Sequence, residues 1–207
     1  MAIQAVLTGD IVNSTLLGRP AEKKLLKTLQ QVLAAHPYEF YRGDSFQVFI
    51  KGAGSALQTA LLCRTAAISI AKPGAVVASD IRVSIGIGKV KWPVTSLAAA
   101  KGEAFVLSGR AFDKFSKDDN RLAIACSNEL AGPGLEVIAG YINAIFKNMT
   151  GKQAGVIFEL LKGNNQQEVA ARFKKSKSTV SQHANAGRWA EIEKLLQQYE
   201  TIINRLS

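Results

Sequence analysis

With 47% hydrophobic and 20% charged residues over 207 positions, the chain has globular proportions and room for one domain or two small ones. No apolar run is long enough to cross a bilayer as a helix, so no membrane-spanning role is expected. A net charge of +10 points instead to a polyanionic partner. Residues 150–207 hold nine Lys/Arg against five Asp/Glu, a denser positive charge than the seventeen against eleven of residues 1–149.

Cys63 and Cys126 stand far apart in apolar surroundings. They read as free thiols of a reducing compartment, without the spacing of a metal site. The first residues show no basic segment followed by an apolar one, so a cytoplasmic location is expected.

The first predicted element is a buried strand. Ile3, Ala5, Val6 and Leu7 run into Thr8-Gly9-Asp10, followed by Ile11-Val12-Asn13-Ser14-Thr15. It delivers a carboxylate at its C-terminal end, where open sheets tend to bind ligands. Arg19-Pro20 then opens an amphipathic helix with Leu25, Leu26, Leu29, Val32 and Leu33 on one side, ended by His36-Pro37. Residues 38–41 and 46–50 read as strands, and Arg42-Gly43-Asp44-Ser45 between them has hairpin turn chemistry. An apolar helix follows over 56–71 and stops at Lys72-Pro73-Gly74.

In residues 80–89, Ile81, Val83, Ile85 and Ile87 alternate with Arg82, Ser84, Gly86 and Gly88. Two glycines on one face of a strand mark a close approach by backbone or ligand. Trp92-Pro93 breaks the chain. Residues 96–115 read as a helical region interrupted at Gly102, 121–125 as a last strand, Gly132-Pro133-Gly134 as a loop, and 135–148 as a helix. The opening βαββαβ order is the split pattern of a ferredoxin-like sheet. The expected fold is therefore α+β over 1–149.

Met149-Thr150-Gly151 is a break in composition, and the pattern over 150–207 is all helical. Thr150 caps a first helix that Gly163-Asn164-Asn165 ends. Helices are predicted over 166–173 and 177–186, with Lys174-Lys175-Ser176 as a tight turn, and over 189–206. The last carries a stripe of Ile192, Leu195, Leu196, Tyr199, Ile202, Ile203 and Leu206. That stripe serves either a domain core or the seam of a homodimer.

Two aspartates at the ends of neighbouring strands make a hard-oxygen site. Asp10 and Asp44, with the carbonyl of Ile11, are the candidate ligands for Mg²⁺. Arg42, Gly43 and Arg110 are the candidate phosphate contacts, because a guanidinium fork matches phosphate oxygens. Asp10 and Asp44 are equally ordinary residues for turns.

Four stretches resemble nucleotidyl cyclases, in family order. TGDIVNST is similar to their first metal-binding motif. RGDSFQVFI is similar to their Gly-Asp turn and to that of diguanylate cyclases. IRVSIGIG resembles the strand that follows, and residues 102–111 resemble the segment whose Asn and Arg stabilise the transition state. The resemblance implies metal binding by Asp10 and Asp44 and a transition-state role for Arg110. Val106 stands where the family has Asn, and Ser45 where diguanylate cyclases have Glu, so a nucleotide-binding domain without cyclisation is expected.

The run from Glu168 to His183 resembles a helix-turn-helix of the sigma-factor and response-regulator type. Ala170 sits at the helix crossing, Val169, Phe173 and Val180 in its small core, and Ser176 at the N-cap. Lys174 and Lys175 replace the usual glycine and apolar residue. The whole chain resembles the SatD-like family of bacterial proteins. The resemblance implies a DNA reader with Lys177, Ser178, Ser181, Gln182 and Asn185 towards bases and Lys174, Lys175 and Arg188 towards phosphates. The expected function is a DNA-binding regulator under nucleotide control; the alternative is a Mg²⁺-dependent cyclase or related phosphoryl-transfer enzyme.

Overall fold

The first apolar run forms β1 (Gln4–Val12) and becomes the middle strand of a five-stranded sheet. The computed structural model describes residues 3–41, 43–70, 79–91, 94, 96–115 and 120–206. Arg42, the predicted helix stop at 72–74 and the Trp92-Pro93 break lie outside the described residues.

β1 pairs antiparallel with β3 (Ser45–Ile50) on one side and with β4 (Asp80–Gly88) on the other. β2 (Tyr38–Tyr41) extends the sheet antiparallel beyond β3, and β5 (Leu122–Cys126) lies parallel to β4. The order is β2-β3-β1-β4-β5. A parallel neighbour requires a crossover, and α3 (Glu103–Lys114) provides it, packed on β4, β1 and β5.

The alternation in β4 sorts the two faces. Ile81, Val83, Ile85 and Ile87 join Ala5, Leu7 and Ile11 in the main core. That face is covered by α2 (Ala56–Ile70), with α1 (Arg19–Leu33) packed on α2, and by α4 (Ala131–Phe146) behind β5. Arg82, Ser84 and Gly86 face α3 instead. The Ser84 hydroxyl donates to the Ser108 carbonyl at 2.8 Å, and Thr8 Oγ1 lies 3.0 Å from Ser108 Oγ.

Two expectations are corrected here. The region 96–115 becomes a helix only from Glu103, because Gly102 is drawn into a bridge with Val90. Gly132-Pro133-Gly134 is not a loop but the first turn of α4. The Asn128 side-chain oxygen accepts from the N–H of Leu130 and of Ala131, both at 3.0 Å. Pro133 sits where an N–H has no intrahelical acceptor, so its missing donor costs nothing.

After Thr150 the chain is helical: α5 (Gly151–Leu161), α6 (Gln166–Phe173), α7 (Lys177–Ala186) and α8 (Trp189–Leu206). Thr150 with Gln153 and Asn165 with Glu168 form capping boxes at α5 and α6. α5 packs along α2, and α8 packs on α4 and on the short turn Ala53–Ser55. The apolar stripe of α8 is therefore spent inside the chain: Ile192, Leu195, Tyr199 and Ile203 are buried. The Tyr199 hydroxyl donates to the Ala53 carbonyl at 2.9 Å. One continuous core runs from β1 to α8.

A buried ion pair ties the end of this core together. Arg64, the single charged residue of α2, is 1% exposed. Its guanidinium donates through Nε and Nη2 to the Asp80 carboxylate at 3.1 and 2.7 Å, and through Nη1 to the Asn143 side-chain oxygen at 3.3 Å. It stacks on the Phe146 ring, 4.5 Å from the centroid. No helix among the described residues is long and apolar enough to cross a membrane.

Candidate functional site

Strand register brings the two candidate carboxylates onto neighbouring positions. Asp10 stands opposite Ser45 in β3 and opposite Arg82 in β4. Asp44 precedes Ser45, and its carbonyl accepts from the N–H of Ile11 at 3.0 Å. Gly43 makes this tight turn possible by taking φ of 88°, a conformation that side chains disfavour.

Arg82 pairs with the first of the two carboxylates. Its Nε donates to Asp10 Oδ1 at 2.9 Å and its Nη2 donates to Asp10 Oδ2, a two-pronged ion pair. Its guanidinium also lies 5.9 Å from the centre of the Phe112 ring of α3. The hydrogen bonds to Asp10, together with the charges of Asp10 and Asp44, raise the Arg82 pKa above its ordinary value. Asp44 accepts from Ser14 Oγ at 3.0 Å on Oδ2 and from Ser45 Oγ at 3.4 Å on Oδ1.

In this structure the donor set is engaged within the chain. Each carboxylate oxygen of the pair already accepts a hydrogen bond, and a fixed guanidinium neutralises Asp10 where the cation would sit. Ile11 joins the group through its N–H. Among the described residues, no three His, Cys, Asp or Glu side chains gather to hold a metal. In this arrangement Asp10 has to leave Arg82 before it can bind Mg²⁺ together with Ile11 and Asp44, and no chemistry is routed through a metal. Arg82→Ala is then expected to create metal affinity. Mg²⁺ or Mn²⁺ should leave the wild-type melting temperature unchanged and raise that of the variant, by the equivalent of about 2.7 kcal/mol at a hundredfold excess over Kd. A wild-type rise of the same size would show that metal displaces Arg82.

Arg110 does not join the aspartates. It is exposed on α3 and lines a groove along the free edge of β5, beside Leu122–Cys126 and Lys114. Val106, at the position where the cyclase resemblance has Asn, is 48% exposed.

The second candidate site is the α6–α7 pair. Lys174 holds the turn in the left-handed conformation, φ 52° and ψ 46°. Its N–H and that of Lys175 return to the carbonyls of Ala171 and Ala170 at 3.2 and 3.0 Å. Ser176 caps α7, accepting from the N–H of Thr179 at 3.1 Å. Val180, Ala184 and Gly187 are buried, which leaves Lys177, Ser178, Gln182 and Asn185 exposed on the opposite side; Ser181 is half-buried. Lys174 and Lys175 are exposed beside them.

One expected position differs. Phe173 is 37% exposed rather than part of the small core, and it lies against Gly155 of α5. Arg188 pairs within the chain: Nε donates to Glu191 Oε1 at 3.0 Å, Nη2 donates to the Tyr141 hydroxyl, and the guanidinium lies over the Tyr141 ring. The sequence reading also missed Glu159, buried in α5, which accepts from Asn164 and Arg172, both at 2.7 Å, and fixes α6 to α5. A groove of about 510 Å³ continues the basic surface, lined by Lys24 of α1, Lys152, Lys175 and His183.

No protein-family model and no curated protein matches the chain. Among solved structures, it is similar to the active GGEEF domain of a diguanylate cyclase from Vibrio cholerae, with 16% identity, 62% of this chain and 85% of that one covered, and a TM-score of 0.41. It is also similar to a bacterial light-regulated adenylyl cyclase, with 14% identity, coverage of 59% and 75%, and a TM-score of 0.40. A further structure described as a bacterial light-regulated adenylyl cyclase matches at 13% identity and a TM-score of 0.38; there this chain covers only 43% of the other's length.

Proposed function

We propose that the chain is a DNA-binding regulator in which α6 and α7 form a helix-turn-helix reader. Residues 1–149 form a ferredoxin-like, cyclase-related domain of the SatD-like kind that holds a phosphate-bearing ligand, and residues 150–207 form the reader. The observation that carries this reading is the capped α6–α7 pair with its left-handed turn at Lys174. It holds Lys174, Lys175, Lys177, Gln182 and Asn185 exposed along one edge. A helix presented in this way fits a major groove, with its long polar side chains towards base edges and lysines near the backbone. The lysines of α1 and α5 beside the turn widen the electrostatic footprint. The antiparallel order β4-β1-β3-β2 supports the ferredoxin-like assignment.

The Arg82–Asp10 pair speaks against the phosphoryl-transfer alternative, because Asp10 would have to leave its guanidinium to bind metal. Homodimerisation on two half-sites belongs to the proposal, through a surface other than the buried stripe of α8.

The test is selection of the full chain on a random-fragment DNA pool at two salt concentrations. Enrichment of one motif that persists at the higher salt is expected. Gln182→Ala should then weaken binding to that motif by about 1–3 kcal/mol and relax preference at one position. Lys175→Gln should weaken all sequences alike and lower the salt slope by about 1. No retention at either salt concentration, or retention without enrichment, overturns the proposal.

A further inference from the structure

A cavity of about 650 Å³ opens where Val12 and Asn13 leave β1, on the face of the sheet covered by α2 and α4. It lies away from the carboxylate pair, which sits with Arg82 against α3. Two features of its wall suit a ligand.

The first is charge. Arg64 at the cavity wall is neutralised by Asp80. Arg121 and Lys147 line the same cavity, and neither forms an ion pair with a carboxylate among the described residues. The second is the apolar remainder: Val12, Ile68, Phe146 and Met149 form a wall that inorganic anions do not use.

We propose that this cavity binds a small organic phosphate monoester. The phosphate carries a charge of about −1.5 to −2 at pH 7, which matches Arg121 and Lys147. The organic group lies on the apolar wall. Size agrees, since small-molecule pockets run from about 300 to 1,000 Å³. Lys147 and Met149 belong to the connection from α4 into α5, so the ligand touches the segment that leads to the reader helices. The inference rests on the ligand-holding part of the proposed function and not on DNA binding.

The experiment is calorimetric titration of the full chain with 5′-AMP and ribose 5-phosphate, with inorganic phosphate and adenosine as separate arms. One saturable site is expected for at least one ester, with weaker binding of phosphate and none of adenosine. Arg121→Ala with Lys147→Ala, both at the rim of the cavity, should weaken that ester at least about tenfold, whereas Asp44→Ala should not change it. Absence of binding by both esters overturns the proposal. So does ester binding that survives the double substitution or disappears in Asp44→Ala. Phosphate binding as tight as ester binding overturns the organic part. DNA retention is measured separately on the same proteins, so loss of one activity with survival of the other tells the two proposals apart.

Discussion

Replacing Arg64 by methionine is expected to lower the stability of the chain by about 3–5 kcal/mol, read as a fall in the urea midpoint. The side chain is 2% exposed, and that of its partner Asp80 is 15% exposed. Removing the guanidinium leaves a carboxylate that has lost its cation in a poorly solvated place. The Asn143 side-chain oxygen loses one of its three donors, the others being the N–H groups of Arg121 and Leu122. The loss should come from orphaning Asp80 rather than from the intrinsic worth of the pair. The double change Arg64→Met with Asp80→Asn should therefore recover a measurable share, and a double-mutant cycle reads the coupling directly. A single variant within about 0.5 kcal/mol of wild type, the range of ordinary surface changes, would show that the pair holds nothing together.

Gly86→Ala is expected to cost about 3 kcal/mol, the upper part of the range for overpacking. A Cβ at Gly86 would stand 2.2 Å from the Ala104 carbonyl oxygen and 2.4 Å from the Ser108 nitrogen. Both atoms are backbone of α3, so no rotamer relieves the overlap and the helix must lift off β4. Lifting also disturbs the Ser84 and Thr8 contacts to Ser108. Gly109→Ala is the control. It lies in the same helix with nothing within 4 Å of its Cβ, and it should be neutral or stabilising by up to about 1 kcal/mol. Equal urea midpoints for the two variants would refute the close approach.

How much was legible in the sequence depended on how local the signal was. α5, α6 and α7 are written into their caps: Thr150, Asn165 and Ser176 each accept from a backbone N–H of the first turn. The alternation of residues 81–88 announced one apolar face and one face of small or polar residues, and Gly86 proved to be the place of close approach. Gly132-Pro133-Gly134 misled, because the residue that starts that helix is Asn128, several positions upstream. The fate of Asp10 was not readable at all. Its partner is 72 residues away, and only the register of β1 on β4 decides that Arg82 stands opposite. Arg64 left a fainter trace: a lone charge in an otherwise uncharged helix had to be either exposed or paired, and the sequence did not say with what.

The continuous core has a consequence for modularity. Many regulators string a sensor and a reader on a linker, so either can be cut out, expressed and exchanged. Here α5 lies along α2, and Tyr199 of α8 reaches back to Ala53. Cutting the chain at residue 150 would strip cover from α2 on one piece and leave the other with an open apolar face. Neither piece is expected to survive as a well-behaved fragment, and grafting these four helices onto another domain should fail. Sequence drift in the two regions is bound together at that seam: a change in volume where α2 meets α5 has to be answered on the other helix, whatever either region binds.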